Sequence, residues 1–155
     1  MDIYLASSCK FFIGNNNGLT WAAGTLGTPS VLTNIVPFGV RSFFARDIGI
    51  YKLQKSKISG KLLPFSHCLH SLLSQSINID NYEELQIELI ENSPEEICDV
   101  VMEMMDRLDG RWNALSEDES LQKRFLSLLT PYNLNYRSLA RTGRSFLKKY
   151  EHLLL

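Results

Sequence analysis

The residues of this sequence best suited to hold a ligand lie between Gly14 and Thr20: Gly-Asn-Asn-Asn-Gly-Leu-Thr. Carboxamides both donate and accept hydrogen bonds, Asn and Gly tolerate the left-handed backbone of tight turns, and Thr20 adds a hydroxyl. Such a set can hold oxygens but cannot abstract a proton. An apolar run, Phe11 to Ile13, leads into the turn, and a small-residue segment, Leu19 to Leu26, leaves it as a helix. Gly27 and Pro29 then introduce a second run, Ser30 to Leu32, closed by Thr33-Asn34. The expected order is strand, turn, helix, strand. A strand feeding a helix through glycines leaves backbone N–H groups and the positive helix end at the strand's carboxyl edge, where phosphate commonly sits. The expected ligand is a nucleotide or a nucleotide-linked group. The segment is neither a P-loop nor a GxGxxG, so a purely structural turn is the competing reading.

Acid, base and nucleophile candidates are poor elsewhere. His67 and His70 lie three residues apart beside Cys68, with no carboxylate in their segment, which suits packing or surface roles better than a metal or catalysis. Ser7 and Ser8 lack nucleophile-elbow glycines, and Asp2 and Asp47 are the only acids in the half that holds the turn. No catalytic residue can be named, and a general base is expected from elsewhere. Cys9, Cys68 and Cys98 are odd in number and widely spaced, the pattern of reduced, packed thiols. Neither a metal site nor a cofactor is expected.

The elements that must position the turn read as follows. Residues 2–8 resemble the end of a helix, and residues 35–48 form a long aromatic connection of the kind that lines a site. Residues 49–53 suggest a short strand, 66–74 a short helix and 86–90 a weak strand. Ser93-Pro94-Glu95-Glu96 is a capping box with proline at the first helical position, followed by Ile97, Val100, Val101, Met104, Met105 and Leu108 at helical spacing up to Gly110. A second box, Ser116-Glu117-Asp118-Glu119, opens a helix with Leu121, Phe125, Leu128 and Leu129 inward. A last helix is expected from about Ser138 to Leu153, with Arg137, Arg141, Arg144 and Lys148 as a solvated basic stripe.

The fold class expected is α/β, a partial Rossmann-like domain with parallel strands and a helical C-terminal region. A single domain, 1–155, divides into the ligand-binding segment 1–60 and a mostly helical remainder 61–155. The composition, 45% hydrophobic and 21% charged, is that of a soluble globular protein. Neither a secretory signal nor a membrane span is expected, and the expected location is cytoplasmic. Net charge is −1, but residues 1–78 carry seven basic against two acidic side chains, and residues 79–155 nine against fifteen. The basic half suits an anionic ligand or the docking of oppositely charged faces. Nucleic-acid binding is not expected, because the lysines between Lys52 and Lys61 have only Tyr51 nearby for base stacking.

Lys10-Phe-Phe-Ile-Gly14, the turn closing on Gly18-Leu19, then Ala22-Ala23, Leu26-Gly27, Pro29 and Thr33-Asn34 resemble the donor-binding segment of GT-B glycosyltransferases. More closely they resemble a family of bacterial glycosyltransferases associated with surface-polysaccharide gene clusters. Glu91 to Ile97, Glu103-Met104 and Ala140 to Tyr150 are similar to that family's C-terminal end; residues 35–80 match only loosely. The resemblance implies a nucleotide-sugar as donor substrate, with Asn16, Asn17, Gly18, Leu19 and Thr20 on its diphosphate and Asn34 on the nucleoside or sugar. Asn17 departs from the serine usual there. The resemblance also implies that an N-terminal domain, on a longer or separate chain, completes the enzyme, and that this chain alone is inactive. The other readings are a non-catalytic remnant or scaffold that associates with itself or a partner, and, more weakly, a sugar-nucleotide epimerase.

Overall fold

A computed structural model describes residues 2–42 and 44–155. Its centre is a parallel four-stranded sheet in the order β1 (Phe12–Gly14), β2 (Ser30–Ile35), β3 (Ile48–Tyr51), β6 (Arg141–Thr142). This is the α/β, partial Rossmann-like architecture expected. The register aligns Ile13 with Val31 and Val31 with Ile48, and Gly14 with Leu32 and Leu32 with Gly49. A Cβ on Gly14 would lie 2.6 Å from Thr20 Oγ1, so the Gly14–Leu32 face carries helix α2 (Gly18–Thr25). Helix α1 (Asp2–Ser8) packs beside α2. The opposite face, through Ile48 and Ile50, carries α5 (Pro94–Leu108). Val31, Ile48 and Ile50 are fully buried, as strands covered on both sides must be.

Between β3 and β6 the chain builds an antiparallel hairpin-like pair, β4 (Leu53–Ser56) with β5 (Ile87–Ile90), holding α3 (Phe65–His70), a 3₁₀ turn at Leu72–Gln75 and α4 (Asp80–Glu84). Helix α5 starts as its sequence dictates: Ser93 Oγ accepts from Glu96 N, and Glu96 Oε2 accepts from Ser93 N at 3.0 Å. The second capping box slips by one residue. Ser116 is the first residue of α6 (Ser116–Ser127), Leu115 is its cap, and Asp118 accepts from Leu115 N. The Asp118 side chain is buried toward Arg144 and Lys148, which fixes this register.

The expected last helix does not form as one piece. Arg141-Thr142 is strand β6, α7 covers only Arg144–Lys149, and a 3₁₀ turn spans Glu151–Leu153. Arg141 N donates to Asp47 O and Gly143 N to Gly49 O, so pairing with β3 outcompetes helical propensity. Gly143 is needed there, since a Cβ would lie 2.8 Å from Ile50 and 3.2 Å from Val100. Arg137 is exposed over the Tyr136 ring, but the rest of the basic stripe is not a free solvated face. Arg141 pairs with Glu119 at 2.6 Å, Arg144 with Asp118 at 3.4 Å and Lys148 with Glu117 at 3.0 Å, all three carboxylates lying in the first turn of α6. Their positions at helical spacing are coincidental to a tertiary clamp. Among the described residues, no helix is long and apolar enough to cross a membrane.

Candidate functional site

The asparagine turn sits at the carboxyl end of β1 and leads directly into α2. Asn17 is the N-cap, with extended backbone (φ −116°, ψ 175°), and its Oδ1 accepts from Leu19 N at 3.0 Å and Thr20 N at 3.1 Å. Asn17 Nδ2 in turn donates to Asn15 Oδ1 at 2.6 Å, and Thr20 Oγ1 donates to Asn15 O at 2.7 Å. The backbone donors expected to meet phosphate are thus occupied by the protein's own carboxamide oxygen, in the position an anion would take. Gly18 faces open space, with no atom within 4 Å of the position of a Cβ. An anion could reach the Leu19 and Thr20 amides only by displacing the Asn17 side chain. An exposed N-cap contributes only about 1 kcal/mol, so the displacement costs little.

The other site residues are brought to the same edge by different means. Asn16 Nδ2 donates to Val36 O at 2.8 Å, tying the turn to the exit of β2. Asn34, in the left-handed region (φ 52°), exchanges two hydrogen bonds with Asn92: Asn34 N donates to Asn92 Oδ1 at 2.6 Å, and Asn92 N to Asn34 Oδ1 at 2.7 Å. Asn92 Nδ2 adds a bond to Tyr51 O at 2.8 Å. One carboxamide pair thereby ties the ends of β2 and β3 to the start of α5. The Oδ1 of Asn34 is spent on this clasp, so its role in the structure is to bring elements together. Beside it, burial pushes the Glu96 carboxyl up, but hydrogen bonds from Lys149 (2.7 Å), Tyr150 (2.5 Å) and Ser93 outweigh that and hold it below the usual carboxylate range.

The sequence marks the connection 35–48 as one that lines a site, without choosing among its residues, and several of its described residues lie beside the turn. Val40, Arg41, Ser42, Phe44 and Asp47 lie against the α2 face, with Phe44 against Gly24, where a Cβ would lie 2.2 Å from the ring. Asn16, Thr20, Trp21, Arg41, Phe44 and Asp47 line the space between this loop and α2. Arg41 is buried, its guanidinium donating to the carbonyls of Tyr136, Ser138 and Ala140. Asp47 is buried too, and desolvation raises its pKa despite donors at Ser42 Oγ (2.5 Å) and Ser30 N (2.8 Å) and the charge of Arg46. Within that connection, an Arg and an Asp six residues apart were the only mark of its buried polar members.

The histidines stay outside this edge. His67 is exposed, and a His70 ring nitrogen lies 2.7 Å from Leu128 O. The Cys68 thiol is buried, which pushes its pKa up to about 12. Among the described residues, no group of three His, Cys, Asp or Glu side chains could hold a metal ion. Fold and turn together define an α/β domain with neutral amide groups at the carboxyl edge of a parallel sheet. Compared with known proteins, the chain matches no family model, no curated protein and no solved structure.

Proposed function

We propose that this domain binds the diphosphate of a nucleotide-sugar at Asn16, Asn17, Gly18, Leu19 and Thr20. In this reading it is the donor-binding part of a cytoplasmic glycosyltransferase of the GT-B type, which transfers the sugar to a polysaccharide or lipid-linked acceptor. The observation that carries the reading is the capped start of α2 at the carboxyl edge of β1: two backbone N–H groups converge on one exchangeable amide oxygen, with open space at Gly18. The parallel sheet supports it further, because ligands of open α/β sheets bind outside the carboxyl ends of the strands. The resemblance supplies the nucleotide-sugar. Among the described residues none of the side chains at this edge is a free acid or base, so in this reading the domain orients the donor's leaving group, and the base that activates the acceptor belongs to another domain.

Asn17→Asp tests this directly. It keeps an equally good cap and adds a charge favoured by the helix dipole, so the fold should be as stable or slightly more so. The same charge occupies the place of the phosphate. Calorimetric titration with UDP-, GDP-, ADP- and CMP-sugars should show binding of one class to the native protein and none to Asn17→Asp. A folded native protein that binds none of them removes the proposal.

A further inference from the structure

Trp112, Asp118, Gln122 and Arg141 line one small cavity between α5, α6, β6 and α7, and each brings a buried polar atom with no hydrogen-bond partner among the described residues: Trp112 Nε1, Asp118 Oδ1, Gln122 Nε2 and Arg141 Nε. Neighbouring bonds decide which atom of each side chain is left over. Gln122 Oε1 accepts from Thr142 N at 3.2 Å, so its amide nitrogen remains. Asp118 Oδ2 accepts from Leu115 N at 3.2 Å and faces Arg144 Nε at 3.4 Å, whereas Oδ1 has only Lys148 Nζ, 4.0 Å away and beyond hydrogen-bond reach. Both terminal nitrogens of Arg141 are taken by Glu119, which leaves Nε. Arg107 and Arg144 lie over the Trp112 ring, and neither guanidinium can accept its N–H. The Thr142 hydroxyl is buried at the same place but lies beside the Tyr51 hydroxyl, which can take its bond. Asp118 and Gln122 are each only 4% exposed, so bulk solvent does not satisfy them. Native interiors rarely leave such groups unpaired.

We infer that this cavity is a binding site for a single water molecule, held as a fixed part of the fold. Size and chemistry both select it. The cavity measures about 10 Å³, room for one water and for nothing larger. Three of the four atoms can only donate, which excludes a cation, and the fourth is a carboxylate oxygen, which opposes an anion. Nor is there net positive charge to attract an anion, since Arg107, Arg141 and Arg144 are matched by Glu103, Glu119 and Asp118. A water accepts two of the N–H groups on its lone pairs and donates to Asp118 Oδ1, so it meets three of the four at once. It would thereby join the connection after α5, through Trp112, to α6 and to β6. The C-terminal clamp is then held by a bridging water as well as by its ion pairs. The inference rests on the orphaned atoms around the cavity and is independent of the nucleotide-sugar reading.

A crystal structure of the native chain, at a resolution that orders waters and with bromide as the only halide, tests it. One density peak should lie about 3 Å from at least three of the four atoms, without anomalous signal at the bromine edge. A cavity with no peak overturns the inference, and so does an anomalous peak, which would make the occupant an anion. Nuclear magnetic resonance supplies a readout in solution. The Trp112 indole N–H, identified by its loss in Trp112→Phe, should show cross-relaxation with water of the sign given by a long-lived, slowly tumbling pair. Thr142→Val removes the one hydroxyl that lines the cavity and could relay such a signal, and should leave it in place. An indole with no such signal in the native chain overturns the inference, as does a signal that disappears in folded Thr142→Val.

Discussion

Two polar regions of this molecule are built on opposite principles. The asparagine turn is neutral, near the surface and closed by one exchangeable side chain, whereas the cluster between α5, α6, β6 and α7 is charged and buried. In the latter, Glu103 accepts from Arg107 Nη2 at 2.8 Å, from Arg107 Nε at 3.0 Å and from Arg144 N at 2.7 Å. Arg107 and Arg144 also lie over the ring of Trp112, at 4.1 and 5.0 Å from its centroid. The charges suggest chemistry, yet their partners are one another, and they hold the chain's C-terminal end against the sheet. The neutral turn has the groups that can change partners. On the function proposed above, charge density is a poor guide to the site, and exchangeability of hydrogen bonds is the better one.

The sharpest way to break this contrast is to remove a charge from the buried cluster. Glu103→Ala leaves Arg107 and the Arg144 amide without their acceptor, and breaking a buried pair typically costs about 3–5 kcal/mol. Urea unfolding should show a loss of that order, while the affinity for the nucleotide-sugar of the surviving folded fraction stays within about twofold. A large loss of affinity at unchanged stability would reverse the roles assigned to the two regions.

A smaller effect is expected at Glu96, where the C-terminal end meets the start of α5. Its folded pKa is depressed, so its contribution is fully present above the ordinary carboxylate range and is lost as pH falls through the folded value. Asp47 has the opposite sign. Its raised pKa means that stability declines as pH rises from the ordinary value toward the folded one. Glu96→Gln should cost about 2 kcal/mol at neutral pH, the scale of hydrogen bonds to a charged group, and should flatten the acid limb of the stability profile. Asp47→Asn should remove the opposing slope. Denaturant midpoints measured from pH 3 to pH 7 would show both signs; matching slopes in the two variants would contradict the assignment.

The same contrast explains what was legible in the sequence. The segment from Phe11 to Asn34 and the start of α5 could be read because their determinants are local: the caps of α2 and α5 bond to residues two or three positions away. The C-terminal end could not, because Arg141-Thr142 answers to β3 almost a hundred positions earlier, and helical spacing of the basic residues there coincides with a clamp on α6. Asn34 illustrates the same limit within the candidate site. Its place at the end of β2 was visible, but its partner Asn92 lies 58 residues away and takes its side-chain oxygen.

The smallest change in stability, and the finest probe of the turn, is Asn17→Gly. Glycine is nearly as good a cap as asparagine, so the fold should lose only a few tenths of a kcal/mol. The substitution separates two ways in which Asn17 can serve a diphosphate. If its oxygen merely holds the Leu19 and Thr20 amides until the ligand arrives, deleting it removes the competition. Affinity should then rise by up to about twofold, the equivalent of the few tenths of a kcal/mol that the asparagine cap contributes over glycine. If instead its Nδ2 leaves Asn15 to donate to the phosphate, affinity should fall. The geometry favours the first: the Oδ1 already accepts two bonds along the line an anion would take, and Nδ2 is held at 2.6 Å by Asn15. Titration of Asn17→Gly with the nucleotide-sugar that binds the native protein is expected to give the tighter complex, and a weaker one would make Asn17 a direct ligand contact.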